Sequence, residues 1–171
     1  MIYYTEYLSP IGKLFLTSDG INIVGLHIES QQHSIECKTF VNQDDLKVFR
    51  IAKIWLDRYF LNQKPSITDL PLSLSGTSFR HLVWKYLCEI PYGEVVTYGA
   101  LAKKAAAELG KERMSAQAIG GAVGHNPISI IIPCHRVVGA NGNLTGYDIG
   151  IDIKIRLLTH EGVNMEGFYI P

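Results

Sequence analysis

All apolar periodicity stops between Lys64 and Ser78, where Pro, Ser, Thr and Gly replace any regular pattern, and a break of that length divides the chain into two folding units. Upstream of it, Ile2 to Ile28 alternates apolar and polar residues around Ser9-Pro10-Ile11-Gly12 and Ser18-Asp19-Gly20, which predicts three antiparallel strands. Val48, Ala52, Trp55 and Tyr59 follow Asp44-Asp45 at helical spacing, so one helix is expected to pack on that sheet. The expected organisation is an α/β (α+β) chain: a small α/β unit over residues 1–63 with a scaffolding role, a linker over 64–78 and a second unit over 79–171.

The second unit reads as a run of capped helices. Thr77 or Ser78 can cap a helix with Phe79, Leu82, Val83 and Tyr86 inward, ending before Pro91. Thr97 caps a helix carrying Leu101, Ala105 and Leu109 on one face, Gly110 makes the turn, and Met114 to Val123 forms the next helix. That is helix-turn-helix punctuation. Asn141-Gly142 between Val137-Val138 and Leu144 is a hairpin signal that would supply a wing. The second helix of the pair is poor in bulk, with Ser115, Ala116, Ala118, Gly120, Gly121 and Ala122. Close approach is the physical meaning, and tight helix packing explains it as well as docking to nucleic acid does.

Charge does not choose between those readings. Lys+Arg 16 balance Asp+Glu 16, so any nucleic-acid contact must come from a local patch. From Thr97 to Arg136, Lys103, Lys104, Lys111, Arg113 and Arg136 stand against Glu108 and Glu112, a modest basic excess that a solvated helix face explains equally well. With 171 residues, 47% of them hydrophobic, the chain can bury a proper core. Cys37, Cys88 and Cys134, with no signal peptide and no apolar run long enough to span a bilayer, suit a reducing cytoplasm and no membrane. His27, His33 and Cys37 lack recognisable ligand spacing, so no metal site is expected.

Chemistry is concentrated in Ile130-Ile131-Ile132-Pro133-Cys134-His135-Arg136-Val137. The isoleucines read as a short buried strand that Pro133 ends, presenting Cys134 at its rim. Neighbours on an extended chain point to opposite faces, so Cys134 and His135 need a turn or a bridging water to share a proton. For an isolated Cys-His pair an inert buried cysteine and a satisfied core histidine are the better reading. On the last helix Ile151, Ile155 and Leu158 define an inward stripe, and a step of three puts Glu161 on it, where a buried carboxylate requires a donor such as the His135 imidazole. A frayed helix end with Glu161 in solvent fits the same periodicity.

Pro133-Cys134-His135-Arg136-Val137, with Asn126-Pro127, Gly146-Tyr147, Lys154, Leu157-Leu158 and Glu161-Gly162, closely resembles the O6-alkylguanine-DNA alkyltransferase family. The likeness runs from about Phe79 to Gly162 and includes Val83-Trp84, Ile90-Pro91-Tyr92-Gly93-Glu94-Val95-Val96-Thr97-Tyr98, Leu101-Ala102 and Ala118-Ile119-Gly120-Gly121-Ala122, whereas the amino-terminal part matches only at Ser9-Pro10-Ile11-Gly12 and in a β-rich start. The resemblance implies an amino-terminal ribonuclease H-like three-stranded sheet with a helix, and a carboxy-terminal winged helix-turn-helix alkyltransferase domain. It implies direct-reversal repair of double-stranded DNA containing O6-alkylguanine, with Cys134 accepting the alkyl group irreversibly, once per molecule, without cofactor or metal and as a monomer. The family's occasional zinc site is not matched, since Asp19 follows Ser18.

Carried over residue by residue, the resemblance makes Glu161 orient His135, His135 act through a water on Cys134, and Tyr98 donate to the leaving base. Asn126, Val137, Tyr147 and Asp148 line the pocket for a flipped guanine, with Asn126 also counted as catalytic. Tyr98, Ser115, Ala116, Gln117, Ala118, Gly120 and Arg136 are the expected DNA contacts, with the small-residue helix in the minor groove. Two departures stand out. Gln117 occupies the place of the usual arginine that fills the gap left by the flipped nucleotide, and Asp148-Ile149-Gly150 replaces a small residue and two glycines after Gly146-Tyr147. Three rivals remain: a non-catalytic alkyltransferase-like protein, which would lack the cysteine; a helix-turn-helix regulator; and a cysteine hydrolase, disfavoured by the adjacency of Cys134 and His135.

Overall fold

The computed structural model describes residues 1–29, 39–147 and 149–171. His33, Cys37 and Asp148 therefore lie outside the described residues. The chain forms two compact units, one made of 1–75 with 127–131 and the other of 76–126 with 132–171.

In the first unit, β1 (Tyr3–Ser9), β2 (Gly12–Ser18) and β3 (Ile23–Ile28) form the antiparallel meander that the alternation predicts. A short β4 (Val41–Asn42) joins β1 in parallel and gives the order β3-β2-β1-β4. Helix α1 (Lys47–Phe60) buries Val48, Phe49, Ala52, Trp55, Leu56 and Tyr59, and packs on the sheet. Residues 64–75 do not behave as a spacer. Ile23 N–H donates to Pro71 O at 2.8 Å, Ser73 N–H to Ile23 O at 3.0 Å and Trp55 Nε1–H to Ser66 O at 2.8 Å, while Leu70 is buried. Irregular chain carrying a few apolar residues can bury them without any periodicity to announce it.

In the second unit, α2 (Ser78–Glu89) is capped by Thr77, whose Oγ1 accepts from Arg80 N–H, and α3 (Tyr98–Glu108) by Thr97, whose Oγ1 accepts from Ala100 N–H. Helix α4 (Ala116–Gly124) starts at Ser115, whose Oγ accepts from the N–H groups of Gln117 and Ala118. The inward face of α2 is Val83, Trp84, Tyr86 and Leu87, with Phe79 and Leu82 only partly buried. Trp84 accounts for the rotation from the expected stripe: its Nε1–H donates to Ala122 O at 2.8 Å and ties α2 to α4. A two-stranded parallel sheet pairs β5 (Val96–Thr97) with β6 (Val137–Val138).

Asn141 and Gly142 take φ of 59° and 84°, the left-handed values the turn demands, and Gly139 N–H donates to Asn143 O at 2.7 Å. The chain leaving the turn does not pair with β6. Leu144 N–H donates to Tyr169 O and Tyr169 N–H to Gly142 O, so the carboxy-terminal segment completes the wing. A Cβ at Gly142 would meet Gly167 O at 2.3 Å, which fixes glycine there. Helix α5 (Ile151–His160) closes the unit, with Leu158 in a cluster with Val138 and Leu144. Among the described residues no helix is long and apolar enough to cross a membrane.

Candidate active site

The stretch before Cys134 is a buried turn, which corrects the expected strand. Ile130 has φ 72°, Ile131 N–H donates to Ser129 O at 2.9 Å, and Cys134 N–H donates to Ile132 O at 2.8 Å. A β-branched residue in the left-handed region is costly, on the order of 1 kcal/mol or more, and persists only where the surroundings over-determine it. Burial of Ile130, Ile131 and Ile132 supplies that constraint. Asn126 Nδ2–H donates to Ile132 O at 2.8 Å and holds the turn from the end of α4. Pro133 brings no donor, and Cys134–Arg136 wind into one 3-10 turn, so Cys134 and His135 are not on opposite faces of a strand.

Cys134 is 5% exposed. His135 is fully buried, and its Nε2 lies 2.9 Å from Glu161 Oε1. Glu161, at the carboxy-terminal cap of α5, is buried as the helical reading expects; Leu158 of the expected stripe is buried and Ile151 and Ile155 are partly buried against its cluster, while Ile153, Lys154 and Leu157 are buried as well. Burial alone would push the Glu161 carboxyl up, but the hydrogen bonds and positive charge beside it prevail and hold it well below the usual carboxylate range. An ionised Glu161 only accepts, so Nε2 carries the His135 proton and Nδ1 presents a lone pair. That Nδ1 is buried and has no hydrogen-bond partner among the described residues. Burial also pushes His135 down, against the pull of Glu161, and favours the neutral ring.

Arg136 corrects an expectation. It was expected to meet DNA, yet it is 7% exposed, with Nε 2.9 and 3.1 Å from the two Glu161 oxygens, Nη2 2.7 Å from Oε1, and Nη1 donating to Ile90 O at 2.6 Å. A guanidinium matches a carboxylate as a fork, and that match, not solvent, claims it.

Sequence reasoning missed the role of Lys154. Fully buried, it donates from Nζ to Val137 O at 2.5 Å and Thr145 O at 3.1 Å, and lies 6.0 and 5.8 Å from the ring centres of Tyr98 and Tyr147. Burial pushes it down to about 8, opposed by the charge of a Cys134 thiolate. The available signal was its step of seven residues from Glu161 on one helix face. The Tyr98 hydroxyl donates to Thr145 O and Gly146 O, both at 3.3 Å, and Gly146 has φ 75°, where a Cβ would come 2.9 Å from that hydroxyl. Cys134, His135, Val137, Tyr147, Lys154, Tyr98, Asn126 and Glu161 thus belong to one unit, with Lys154 in α5 and Glu161 at its carboxy-terminal cap. Ser115, the cap of α4, and Ala116, Gln117 and Ala118 in its first turn form a separate exposed stretch. Among the described residues a Cβ at Gly121 would meet nothing within 4 Å and one at Gly120 only Tyr98 Cε1 at 4.0 Å, so their packing does not require glycine at either.

The family model described as 6-O-methylguanine DNA methyltransferase, ribonuclease-like domain, matches residues 2–74, and the DNA binding domain model of the same description matches 78–163. The chain belongs to the 6-O-methylguanine DNA methyltransferase family. It is similar to the methylated-DNA–protein-cysteine methyltransferase of Haemophilus influenzae, with 41% identity over 95% of this chain and 87% of the relative. With the Methanosarcina acetivorans protein of that name the identity is 42%, over 94% of this chain and 99% of the relative. The crystal structure of the Mycobacterium tuberculosis OGT in complex with DNA superposes with TM-score 0.82 and 39% identity, covering 94% of this chain and 93% of that one. Family membership accounts for the mixed α/β architecture, with a ribonuclease-like part followed by a DNA-binding part.

Proposed function

We propose that the protein repairs double-stranded DNA by direct reversal, taking the alkyl group from O6 of guanine irreversibly onto Cys134. The observation that carries this reading is the buried Cys134 turn followed by a His135 whose Nε2 is committed to Glu161 and whose Nδ1 is left as a base. His135, through a water, accepts the thiol proton; the sulfur forms a bond to the alkyl carbon while the carbon–O6 bond breaks, its electron pair stays on guanine, and guanine takes up a proton. A thioether does not hydrolyse, so each molecule acts once. The buried Lys154 ammonium favours the thiolate electrostatically, the same interaction that opposes its own loss of a proton. The base must leave the stack to reach a buried sulfur, and Asn126, Val137 and Tyr147 are the residues read as the pocket, with Asn126 acting by fixing the turn. The small exposed residues of α4 suit close approach to the minor-groove walls, and the similar Mycobacterium tuberculosis protein solved in complex with DNA supports DNA as the partner. A place in the reducing cytoplasm fits Cys88 and Cys134, which are free cysteines.

Mass spectrometry after incubation with an O6-methylguanine duplex tests the reading: one methyl group per molecule is expected, on Cys134. A label on Cys88, or catalytic turnover with no label, would overturn it. Tyr98→Phe tests the donor. Its hydrogen bonds to the Thr145 and Gly146 carbonyls are long, so the phenol can re-aim at the base, and its loss should slow transfer by on the order of 10²-fold while the fold is kept. A parental single-turnover rate would leave Tyr98 as packing alone.

Gln117 is exposed on α4, where its shorter neutral amide can hydrogen-bond the orphaned cytosine but cannot pair ionically with phosphate. Unstacking a base costs roughly a few kcal/mol. Gln117→Arg should therefore raise the transfer rate on saturating duplex and leave the rate with free O6-benzylguanine unchanged, since the free base needs no extrusion. No rise at saturation would mean that Gln117 already fills the gap adequately.

A further inference from the structure

We infer that Arg136 is a positioning residue for the transfer: its guanidinium meets the Glu161 carboxylate with a fork of donors and helps hold it ionised, keeping His135 neutral so that Nδ1 can accept the Cys134 proton. The inference rests on the reading of Cys134 as the nucleophile.

Glu161 Oε1 is shared. Arg136 Nε and Nη2 approach it at 3.1 and 2.7 Å and His135 Nε2 at 2.9 Å, while Oε2 receives Arg136 Nε at 2.9 Å. A carboxylate facing only His135 would draw a proton onto the imidazole; one already matched by a fork of guanidinium donors has less charge to spend on the ring. Arg136 is itself fixed, by Ile90 O on Nη1 and by the Tyr92 ring 5.7 Å from Cζ, so the fork cannot swing away to solvent.

Charge balance supports the same role. The ionisable groups that act on His135 are Glu161 and Lys154 from the last helix and its cap, and Arg136 from its own turn; Cys134 precedes it, and Tyr92, beyond α2, faces Glu161 and Arg136. With a thiol and a neutral imidazole, Arg136 and Lys154 outnumber Glu161 by one positive charge. Ionisation of Cys134 cancels it. Remove Arg136 and the charges cancel while the sulfur keeps its proton, so the arginine shifts a water-poor cluster toward thiolate.

The test is the pH dependence of Cys134 alkylation by free O6-benzylguanine, which avoids any effect on DNA binding, together with ¹⁵N NMR of the His135 ring. The parent should hold a neutral imidazole at pH 6, protonated on Nε2. Arg136→Met should move both the His135 titration and the acid limb of the rate upward by about one pH unit, because removal of a positive charge makes every proton here harder to lose. Arg136→Lys, a point charge without the fork, should move them less. A rate that falls equally at all pH values with the limb and titration unmoved would reduce Arg136 to packing and overturn the inference. Should Arg136→Met fail to fold, the parent decides: a His135 imidazolium at pH 6 overturns it. A parent that takes no alkyl group at any pH defeats the reading of Cys134 instead, and leaves the NMR result standing.

Discussion

Cys134→Ala should bind an O6-methylguanine duplex within a few-fold of the parent affinity and transfer no alkyl group at all. The loss is total because the bond that forms is to sulfur, and His135 Nδ1 in the same cluster is placed to accept a proton from the thiol. Lys154, an ammonium in the same unit, donates to the Val137 and Thr145 carbonyls. Binding survives because the surface read as the DNA contact, the exposed residues of α4, does not include the Cys134 turn. The structural cost is small as well: a buried sulfur replaced by hydrogen leaves a cavity of about one heavy atom, roughly 1 kcal/mol. Cys88→Ala is the matching control, since that residue is exposed and outside the cluster, and should transfer like the parent. Residual transfer by Cys134→Ala, measured as label retained on protein after denaturation, would place the chemistry elsewhere.

What the sequence revealed and what it hid separate along physical lines. The meander was legible because one buried sheet face imposes a period of two, and the helix starts at Thr77 and Thr97 were legible because an orphan N–H needs a side-chain oxygen near by, whereas the next helix, expected from Met114, begins only after the Ser115 cap. Ile130-Ile131-Ile132 misled because hydrophobicity reports burial and not backbone shape; a buried turn and a buried strand have the same composition. The inward stripe of α5 was legible at Leu158, with Ile151 and Ile155 packed beside it, but the burial of Lys154 was not, because the two carbonyls and two tyrosine rings that receive its ammonium come from other parts of the chain. Arg136 was assigned to DNA for the same reason: a cation's partner cannot be read from the cation. Glu161 was placed correctly since a carboxylate at a core position demands a donor, but the demand is met twice over, and only three-dimensional structure reveals the second donor.

That double satisfaction makes Glu161 the residue whose loss should damage both stability and rate. Glu161→Ala leaves the Arg136 guanidinium buried without its anion and His135 Nε2–H without its acceptor, and breaking a buried pair from one side costs about 3–5 kcal/mol. Glu161→Gln, close in shape and still able to accept one hydrogen bond, should cost less, yet it lacks the charge that fixes the proton on Nε2. The amide can present its own N–H to the ring, turn the tautomer round and remove the lone pair from Nδ1. Transfer by Glu161→Gln should therefore fall by on the order of 10² to 10⁴-fold in single-turnover measurements at a temperature where it is fully folded. Urea unfolding supplies a second check through its pH dependence. A carboxylate held below its ordinary value of 4.5 contributes stability that is present above that pH and is lost as the pH falls through the folded value. The stability gap between parent and Glu161→Gln should then be constant near neutrality and close as the pH drops below about 4.5. A gap that stayed constant into acid would mean that Glu161 is not held as a buried anion, and the account of His135 as a neutral base would lose its foundation.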